Sequence, residues 1–168
     1  MIKRSSVTLF ATGMLSVFAA SALAQESGIS VLAYGSLKSN VGPDMELRVN
    51  GNVIGHVEVR STTPKTYTFP GVSVPAGAKV DVVYKNDAAK SQTSPEDRNL
   101  YVSSLTVNGA TIAANAPGVV FDRGAGSLAF DGIDVIPGQS GLYWNGALRF
   151  VAGAPAAVNA ANLSHTVS

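Results

Sequence analysis

Two Asn-Gly pairs, each placed after a stretch that alternates apolar and polar residues, constrain the fold of this chain most strongly. Asn50 follows the alternating residues 45–49, Asn108 follows residues 105–107, and a glycine comes directly after each asparagine. Asn and Gly both tolerate the positive φ angles of a two-residue hairpin turn, and alternation with a period of two is typical of strands with one buried face. The two pairs therefore predict two antiparallel hairpins.

The rest of the chain extends this pattern and predicts an all-β domain. Segments of strand-like composition alternate with turns that are rich in proline and glycine. The predicted strands cover residues 29–34, 45–49, 53–54, 56–60, 66–69, 79–84, 100–103, 105–107, 111–112 and 147–151. Many short strands with regular turns favour a single antiparallel β-sandwich of jelly-roll-like type, with a β-barrel as the alternative. We expect no amphipathic helix in this domain.

The first 24 residues are predicted to be a secretory signal peptide. Lys3 and Arg4 precede a mostly apolar run, which ends with small residues at Ala22 and Ala24. This succession is typical of a signal that is cleaved before Gln25, and the apolar run is short for a membrane span. We therefore expect a secreted or periplasmic protein that makes no membrane contact after cleavage.

The remaining chain is predicted to contain one β-sandwich domain at residues 25–151 and a flexible tail at residues 152–168. A chain of this length is expected to form a single domain. The tail carries no Asp, Glu, Lys or Arg and is rich in Ala, Asn and Ser, a composition typical of flexible linkers. Leu163 and Val167 leave a final edge strand as the alternative.

Composition excludes several classes of function. The chain has 12 Lys and Arg against 11 Asp and Glu, so it lacks the basic surface that binds nucleic acid. It has no cysteine, which excludes disulfides, a thiolate nucleophile and cysteine-ligated zinc. Of the two histidines, His56 is predicted to be a partly exposed strand residue and His165 lies in the tail, so a Ser-His triad is not expected. The glycine-rich residues 124–129 lack the surrounding βαβ unit of a dinucleotide site and are predicted to be a loop that packs across one end of the sandwich.

A glycan-acting enzyme is the weakest hypothesis. The candidates for paired catalytic carboxylates are Glu96, Asp97, Asp122, Asp131 and Asp134. The separation of two carboxylates decides that chemistry, and the sequence does not supply it. The domain is also small for a hydrolase cleft, so we predict that the protein is not an enzyme.

Two acidic clusters that flank a polar loop form a stronger candidate, a calcium site. Asp87 follows the predicted strand 79–84, and Glu96 and Asp97 precede the predicted strand 100–103. A loop that returns both clusters to one sheet edge supplies oxygen ligands of the kind that Ca²⁺ takes. The alternative is that these residues are present because Asp and Asn favour turns.

A second cluster contains the only tryptophan of the chain. Trp144 follows Tyr143 in a stretch between Gly141 and Gly146. Aromatic faces supply a large apolar area on which a sugar ring can stack, whereas the alternative is that Trp144 anchors the core. If the stretch is a strand, Tyr143 and Trp144 point to opposite faces, and one of them is exposed.

Together these segments resemble a known family. Residues 86–87 and the run Glu-Asp-Arg-Asn-Leu-Tyr-Val at 96–102, with the hairpin at 105–109 and the closing stretch 142–150, look like the calcium-dependent xylan-binding carbohydrate-binding modules. The match is closest to family sixty, which is related to family thirty-six by circular permutation, and it covers roughly residues 28–151. The chain departs from many relatives in lacking cysteine and in carrying serine at 103 and 104.

The resemblance implies a β-sandwich with a partly open calcium ion that the vicinal hydroxyls of a sugar ligate directly. The implied metal ligands are Glu96, Asp97 and Asp87, and the residues predicted to contact the sugar are Tyr143, Trp144, Asn145 and Arg98. We therefore expect a secreted, non-catalytic, calcium-dependent module for xylan or a related β-glycan, with a separate glycoside hydrolase as a potential partner. The alternative is a structural or assembly protein of the envelope or extracellular matrix that binds no sugar.

Overall fold

The computed structural model describes residues 28–153 of the chain. The predicted signal peptide and almost all of the predicted tail lie outside the described residues, so both stay predictions. Within residues 28–153, no helix has the length and apolarity needed to cross a membrane.

The described chain forms two antiparallel sheets that pack face to face. The strands are β1 (Gly28–Gly35), β2 (Asp44–Val49), β3 (Asn52–Glu58), β4 (Lys65–Pro70), β5 (Lys79–Tyr84), β6 (Leu100–Val107), β7 (Ala110–Ala113), β8 (Val120–Arg123), β9 (Val135–Pro137), β10 (Gly141–Leu142) and β11 (Gly146–Val151). The larger sheet has the order β3-β2-β5-β11-β8-β9, and the smaller has the order β10-β6-β1-β4, with β7 beside β10 on the same edge of β6. Two separate sheets confirm the predicted β-sandwich and exclude the barrel.

The core lies between the two sheets and follows the alternation of the strands. In β1, the buried residues Ile29, Val31 and Ala33 alternate with partly exposed ones, because successive side chains of a strand point to opposite faces. The centre of the larger sheet contributes Val82 from β5 and Phe150 from β11, both buried in the same cluster. Burial of apolar surface of this kind is the main source of stability in such a sandwich.

Both predicted Asn-Gly hairpins are confirmed. Asn50 and Gly51 have φ angles of 49° and 84°, and Asn108 and Gly109 have φ angles of 53° and 74°. Positive φ at both central residues is the requirement of the primed turn that matches the twist of a hairpin. These turns join β2 to β3 and β6 to β7.

The structure corrects several predicted strand boundaries. The predicted strands 53–54 and 56–60 merge into the single strand β3, which ends at Glu58, and the predicted strands 100–103 and 105–107 merge into β6. In both cases the register shifts at an irregularity, which breaks the alternation in the sequence. The sequence does not predict β8, β9 and β10, because two to four residues are too few to show a period of two.

The glycine-rich stretch is also different from the prediction. It forms a short 3₁₀ helix, Gly126–Phe130, which lies against β8 and β11 rather than across an end of the sandwich. Ala129 packs there with Val83 and Ala147, and Phe130 lies beside them. These residues form a small apolar cluster on the outer face of the larger sheet.

The two ends of the sandwich differ in how the strands are connected. Both Asn-Gly turns lie at one end, where Asn108 donates from its side chain to the Gly153 carbonyl over 3.4 Å. The long connections between β1 and β2 and between β5 and β6 lie at the other end. Long loops on a rigid scaffold are the usual place for binding residues, and the predicted site residues belong to this loop end.

Candidate functional site

The connection from β5 to β6 brings three polar side chains to one face. Ala88 and Arg98 form an isolated antiparallel bridge, in which the Arg98 N–H donates to the Ala88 carbonyl over 3.1 Å. Residues one position from a bridge partner share the face opposite to that partner. Asp87, Asp97 and Asn99 are therefore placed on one face of this bridge. We call these three residues the acid cradle.

The two carboxylates of the acid cradle influence each other. Burial raises the pKa of Asp87 above its usual value, and the neighbouring charge of Asp97 raises it further. Burial, with a smaller contribution from Asp87 and Asp97, also raises the pKa of the Tyr84 hydroxyl, which donates to the Arg98 carbonyl over 2.6 Å. Within residues 28–153, neither Asp87 nor Asp97 forms a salt bridge with a Lys, Arg or His.

Two oxygens of the acid cradle are buried without a hydrogen-bond partner among the described residues. They are Oδ1 of Asp87 and Oδ1 of Asn99. Buried polar atoms in folded proteins are almost always hydrogen-bonded, so each exception calls for an explanation. Hard oxygen donors of this kind, together with a second carboxylate, fit the coordination that Ca²⁺ prefers. A group of three or more acidic or histidine side chains arranged for a metal is absent from residues 28–153, so calcium here would draw on the Asn99 amide as well.

The side chain of Glu96, a predicted metal ligand, points away from the Asp97 carboxylate and toward the β1–β2 connection. Its Oε2 accepts a hydrogen bond from the Ser39 N–H over 2.7 Å, and the side chain is exposed. Ser36 instead holds the Asp97 backbone, because its hydroxyl donates to the Asp97 carbonyl and accepts from the Asn99 N–H over 2.9 Å. The structure thus brings Asp87 and Asp97 together and places the Glu96 carboxylate against the β1–β2 connection.

Arg98 and Asn145 fix the loops around the acid cradle. The Arg98 guanidinium donates to the carbonyls of Lys38, Val41 and Asn86 over 2.7 to 3.2 Å, which ties the β1–β2 connection to the β5–β6 connection. The Asn145 Oδ1 accepts from the Asp87 N–H over 2.9 Å. Arg98 and Asn145 were predicted to contact the sugar, and in this structure their side chains form hydrogen bonds to backbone groups of the site.

A row of aromatic side chains begins beside the acid cradle. The Tyr34 and Tyr101 rings stack with centroids 4.8 Å apart, Tyr143 meets Tyr101 edge-on at 6.0 Å, and Trp144 meets Tyr143 edge-on at 6.0 Å. We call these four residues the aromatic row. Asn99 links the two groups, since burial raises the pKa of Tyr101 and a hydrogen bond with Asn99 partly offsets that increase.

Tyr143 and Trp144 are both exposed, at 46% and 43% of their surface. The expectation that strand alternation buries one of them is wrong, because β10 ends at Leu142 and the two residues lie in a loop. A Cβ at Gly141 would lie only 2.7 Å from the Tyr143 hydroxyl oxygen, so the glycine leaves room for this ring. The Arg123 guanidinium lies 5.0 Å from the centre of the Trp144 ring, a cation–π distance that holds it in place.

Sequence reasoning did not assign Asn99, Tyr34 or Tyr101 to the site. Asn99 and Tyr101 follow Asp97 at steps of two, and that alternation was the available indication that they share its face. Tyr34 gave no local indication, because it reaches the site only through the pairing of β1 with β6.

The remaining acidic candidates are engaged elsewhere. Asp122 is fully buried, and its Oδ2 accepts from the Gly132 N–H over 3.0 Å and lies 3.6 Å from Arg149 Nη1, while its Oδ1 has no hydrogen-bond partner among the described residues. Asp131 accepts from the Ile133 N–H over 2.8 Å, and Asp134 pairs with an arginine. Among the described residues these acids form no exposed facing pair of the kind that glycoside hydrolysis requires.

A cavity of about 260 Å³ lies on the other side of Asn145, between the 3₁₀ helix and the larger sheet. Arg48 and Lys85 contribute positive charge to its lining. The Glu46 carboxylate lies 2.6 Å from Arg48 Nε and 2.8 Å from Lys85 Nζ. A second carboxylate, Asp44, lies 3.6 Å from Lys85 Nζ, so both cations are paired with acids. The cavity therefore offers no free cation to an anionic ligand.

A β-sandwich that carries an uncompensated acid pair beside exposed aromatic rings has the arrangement of a carbohydrate-binding module. The family model CBM60, described as a calcium-dependent xylan-binding carbohydrate-binding module, matches residues 28–122. This match covers more than half of the chain, so the protein belongs to the CBM60 family. The matched residues include the acid cradle and end before Tyr143 and Trp144.

Two solved structures share the fold. A structure of vCBM60 in complex with galactobiose is 22% identical, with a TM-score of 0.54, and the alignment covers 74% of this chain and 98% of that one. The selenomethionine form of vCBM60, from work on circular permutation between two families of calcium-dependent carbohydrate-binding modules, is 22% identical with a TM-score of 0.52, covering 74% and 89%. No curated protein sequence matches the chain.

Proposed function

We propose that this protein is a secreted, non-catalytic module that binds a xylan-type polysaccharide in a calcium-dependent manner at the acid cradle. The observation that carries the proposal is the pair of buried oxygens, Asp87 Oδ1 and Asn99 Oδ1, that have no hydrogen-bond partner within residues 28–153. They lie on one face with Asp97, which raises the pKa of Asp87 in addition to the larger effect of burial and has no salt bridge in that part of the chain.

Asp87, Asp97 and Asn99 would hold the cation, and Ca²⁺, when bound, supplies a hard acceptor for two vicinal hydroxyls of a sugar. The roles of the protein's own residues follow from their contacts. Asn145 and Arg98 keep the loops in register by hydrogen bonds to backbone groups. The exposed faces of Tyr143 and Trp144 offer the apolar area on which a pyranose ring stacks.

The choice of xylan is supported by the description of the family, and galactobiose is the ligand named for one relative of the same fold. An open site with few contacts gives modest affinity, on the order of micromolar to millimolar dissociation constants. The test therefore compares several polysaccharides in parallel.

Native gels that contain xylan, galactan or mixed-linkage glucan, run with calcium or with EDTA, test the proposal. We expect retardation of the parent protein by xylan in calcium only. Asp97→Asn removes one charge of the acid cradle and is expected to abolish retardation while the protein stays folded. Asp131→Asn is the matched control, because the new amide keeps an oxygen that accepts from the Ile133 N–H.

Retardation of Asp97→Asn equal to that of the parent would contradict the role of the acid cradle. Unchanged mobility of the folded parent in all three polysaccharides would overturn sugar binding itself. Light scattering on the same samples addresses the assembly alternative, which requires oligomers that form with rising concentration and ignore sugars.

A further inference from the structure

The outer face of the smaller sheet carries only uncharged side chains on its described strands. The outward residues alternate with the buried ones, so they follow from the register. They are Ser30, Leu32 and Tyr34 on β1, Thr66 and Thr68 on β4, Tyr101, Ser104 and Thr106 on β6, and Thr111 and Ala113 on β7. The short 3₁₀ helix lies on the other sheet, so no described helix or strand covers this face.

Four hydroxyl side chains form a row across this face. Ser30 is in register with Thr68 on one side and with Thr106 on the other, and Thr106 is in register with Thr111. The row crosses three spacings between strands, or about 14 Å. The hydroxyl oxygens lie 3.3 Å apart in the pair of Ser30 and Thr68, and 2.9 Å apart in the pair of Thr106 and Thr111.

These hydroxyls keep hydrogen-bonding capacity after they pair. Each hydroxyl has one donor and two acceptor sites, and a bond between two hydroxyls uses one donor and one acceptor. Each pair therefore retains one donor and three acceptor sites for an outside ligand. A ligand made of hydroxyls and ring oxygens matches that inventory, and the absence of charge on these strands favours a neutral ligand over an ionic one.

The hydroxyl row is continuous with the aromatic row. Tyr34 and Tyr101 are in register on the same outer face, and Leu32 lies between Tyr34 and Ser30 along β1. At about 3.3 Å per residue, the path from Tyr34 to Ser30 is about 13 Å long. A sugar chain that leaves the aromatic row along β1 and β6 meets first the apolar Leu32 and then hydroxyls.

We propose that a polysaccharide chain held at the acid cradle continues over the outer face of the smaller sheet, past Leu32 and Ser104, to Ser30 and Thr106. This inference rests on the proposed function and adds to it a chain-length requirement. The acid cradle and aromatic row hold the first sugars, and the hydroxyl row contacts sugars several units away. Affinity therefore rises with the number of sugar units until the chain reaches the hydroxyl row.

Calorimetric titration with β-1,4-xylo-oligosaccharides of two, three, four and six units, in calcium, tests this inference. We expect the affinity of the parent to rise by about tenfold from two units to six, as two neutral hydrogen bonds allow. The double change Ser30→Ala with Thr106→Val is expected to remove that rise and to leave the affinity for two units unchanged. Ser73→Ala, at an exposed serine outside this face, is the matched control.

The outcomes separate the inference from the proposed function. Equal affinity of the parent for two and six units, or a rise that the double variant retains, overturns the inference while disaccharide binding upholds the function. Absence of binding at every length overturns both. Thr68→Val, on the exposed edge strand β4, gives the same test with a smaller loss if the double variant unfolds.

Discussion

The molecule contains two pairs of acidic side chains, one buried and one partly exposed, and only the buried pair forms salt bridges with an arginine. On the outer face of the larger sheet, Asp81 and Asp122 are 2% and 0% exposed, and Arg149 lies between them at 3.1 and 3.6 Å. At the loop end, Asp87 and Asp97 have no such partner within residues 28–153. Asp87 and Asp97 are partly exposed, but the buried Oδ1 of Asp87 has no hydrogen-bond partner in that part of the chain, and the proposed calcium site rests on this difference between the two pairs.

Glu46, on the same sheet as the buried pair, shows what compensation does to a buried carboxylate. Burial alone raises its pKa, but hydrogen bonds from Lys85 and Arg48 outweigh burial, and the pKa lies below its usual value. In Asp87 the balance is the reverse, because burial and Asp97 together outweigh the hydrogen bonds and the Arg98 charge that stabilise its ionised form. In Asp81 of the buried pair, burial outweighs the charge of Arg149 and also raises the pKa. Asp81 and Asp87 therefore differ in the salt bridge with Arg149 rather than in the direction of the pKa shift.

Of the changes considered, the removal of Arg149, which pairs with Asp81 and Asp122, is expected to lower the free energy of unfolding most. Arg149→Met leaves Asp81 and Asp122 buried without their shared cation, which is expected to lower the free energy of unfolding by about 3 kcal/mol. Urea denaturation measures this loss. Arg60→Met, which removes an exposed pair with Glu58, is the control, with a much smaller expected loss because exposed ion pairs contribute little to stability. Equal losses in the two variants would show that Arg149 is not needed for compensation.

Calcium is expected to stabilise the protein through Asp87 and Asp97, by an amount similar to the loss expected for Arg149→Met. At a calcium concentration of about 100 times the dissociation constant, the parent is expected to gain about 2.7 kcal/mol of stability. Asp87→Asn is expected to lose this gain and, in EDTA, to be at least as stable as the parent, because it removes a negative charge that partial burial and the neighbouring Asp97 disfavour. Melting curves with calcium and with EDTA measure both quantities. A full calcium response in Asp87→Asn would place the cation elsewhere.

Glu46→Gln tests whether hydrogen bonds from Lys85 and Arg48 stabilise the ionised form of a buried carboxylate, through the pH dependence of protein stability. A carboxylate whose pKa is lower in the folded state stabilises the fold above its unfolded value of 4.5, and this contribution disappears as the pH falls through the folded value. The variant is expected to be about 1 kcal/mol less stable than the parent at pH 7. Urea denaturation from pH 7 to pH 3 should show the difference shrinking below pH 4.5. A difference that stays constant would mean that the loss comes from packing.

Much of the fold was predictable because its information is local. The Asn-Gly pairs predict hairpins because both residues tolerate positive φ angles. Strands of six to eight residues, such as β1 and β5, contain enough alternating or apolar residues to be identified from the sequence. Strands such as β10, with two residues, exist only because a neighbour offers hydrogen bonds. The 3₁₀ helix follows from packing on Val83 and Ala147, which no local pattern contains.

The candidate site was predictable in its residues and less so in its geometry. The acids at either end of the β5–β6 connection were identified because they flank one polar loop. The expectation that this loop returns to one sheet edge is wrong, because β5 and β6 belong to different sheets, but the structure still brings Asp87 and Asp97 together. The direction of the Glu96 side chain depends on Ser39 in a distant connection. The contribution of Tyr34 depends on strand pairing in the same way, so neither was available from the sequence.

The placement of the Asn-Gly turns and the acid cradle at opposite ends of the sandwich has a consequence for attachment. Residues 28 and 153 both lie at the end with the Asn-Gly turns, where Ile29 pairs with Val107 and the Gly153 carbonyl meets Asn108. Whatever is tethered on either side of this domain is therefore joined at the pole opposite to the acid cradle. A tether on either flank would leave the loops around the acid cradle facing away from the point of attachment.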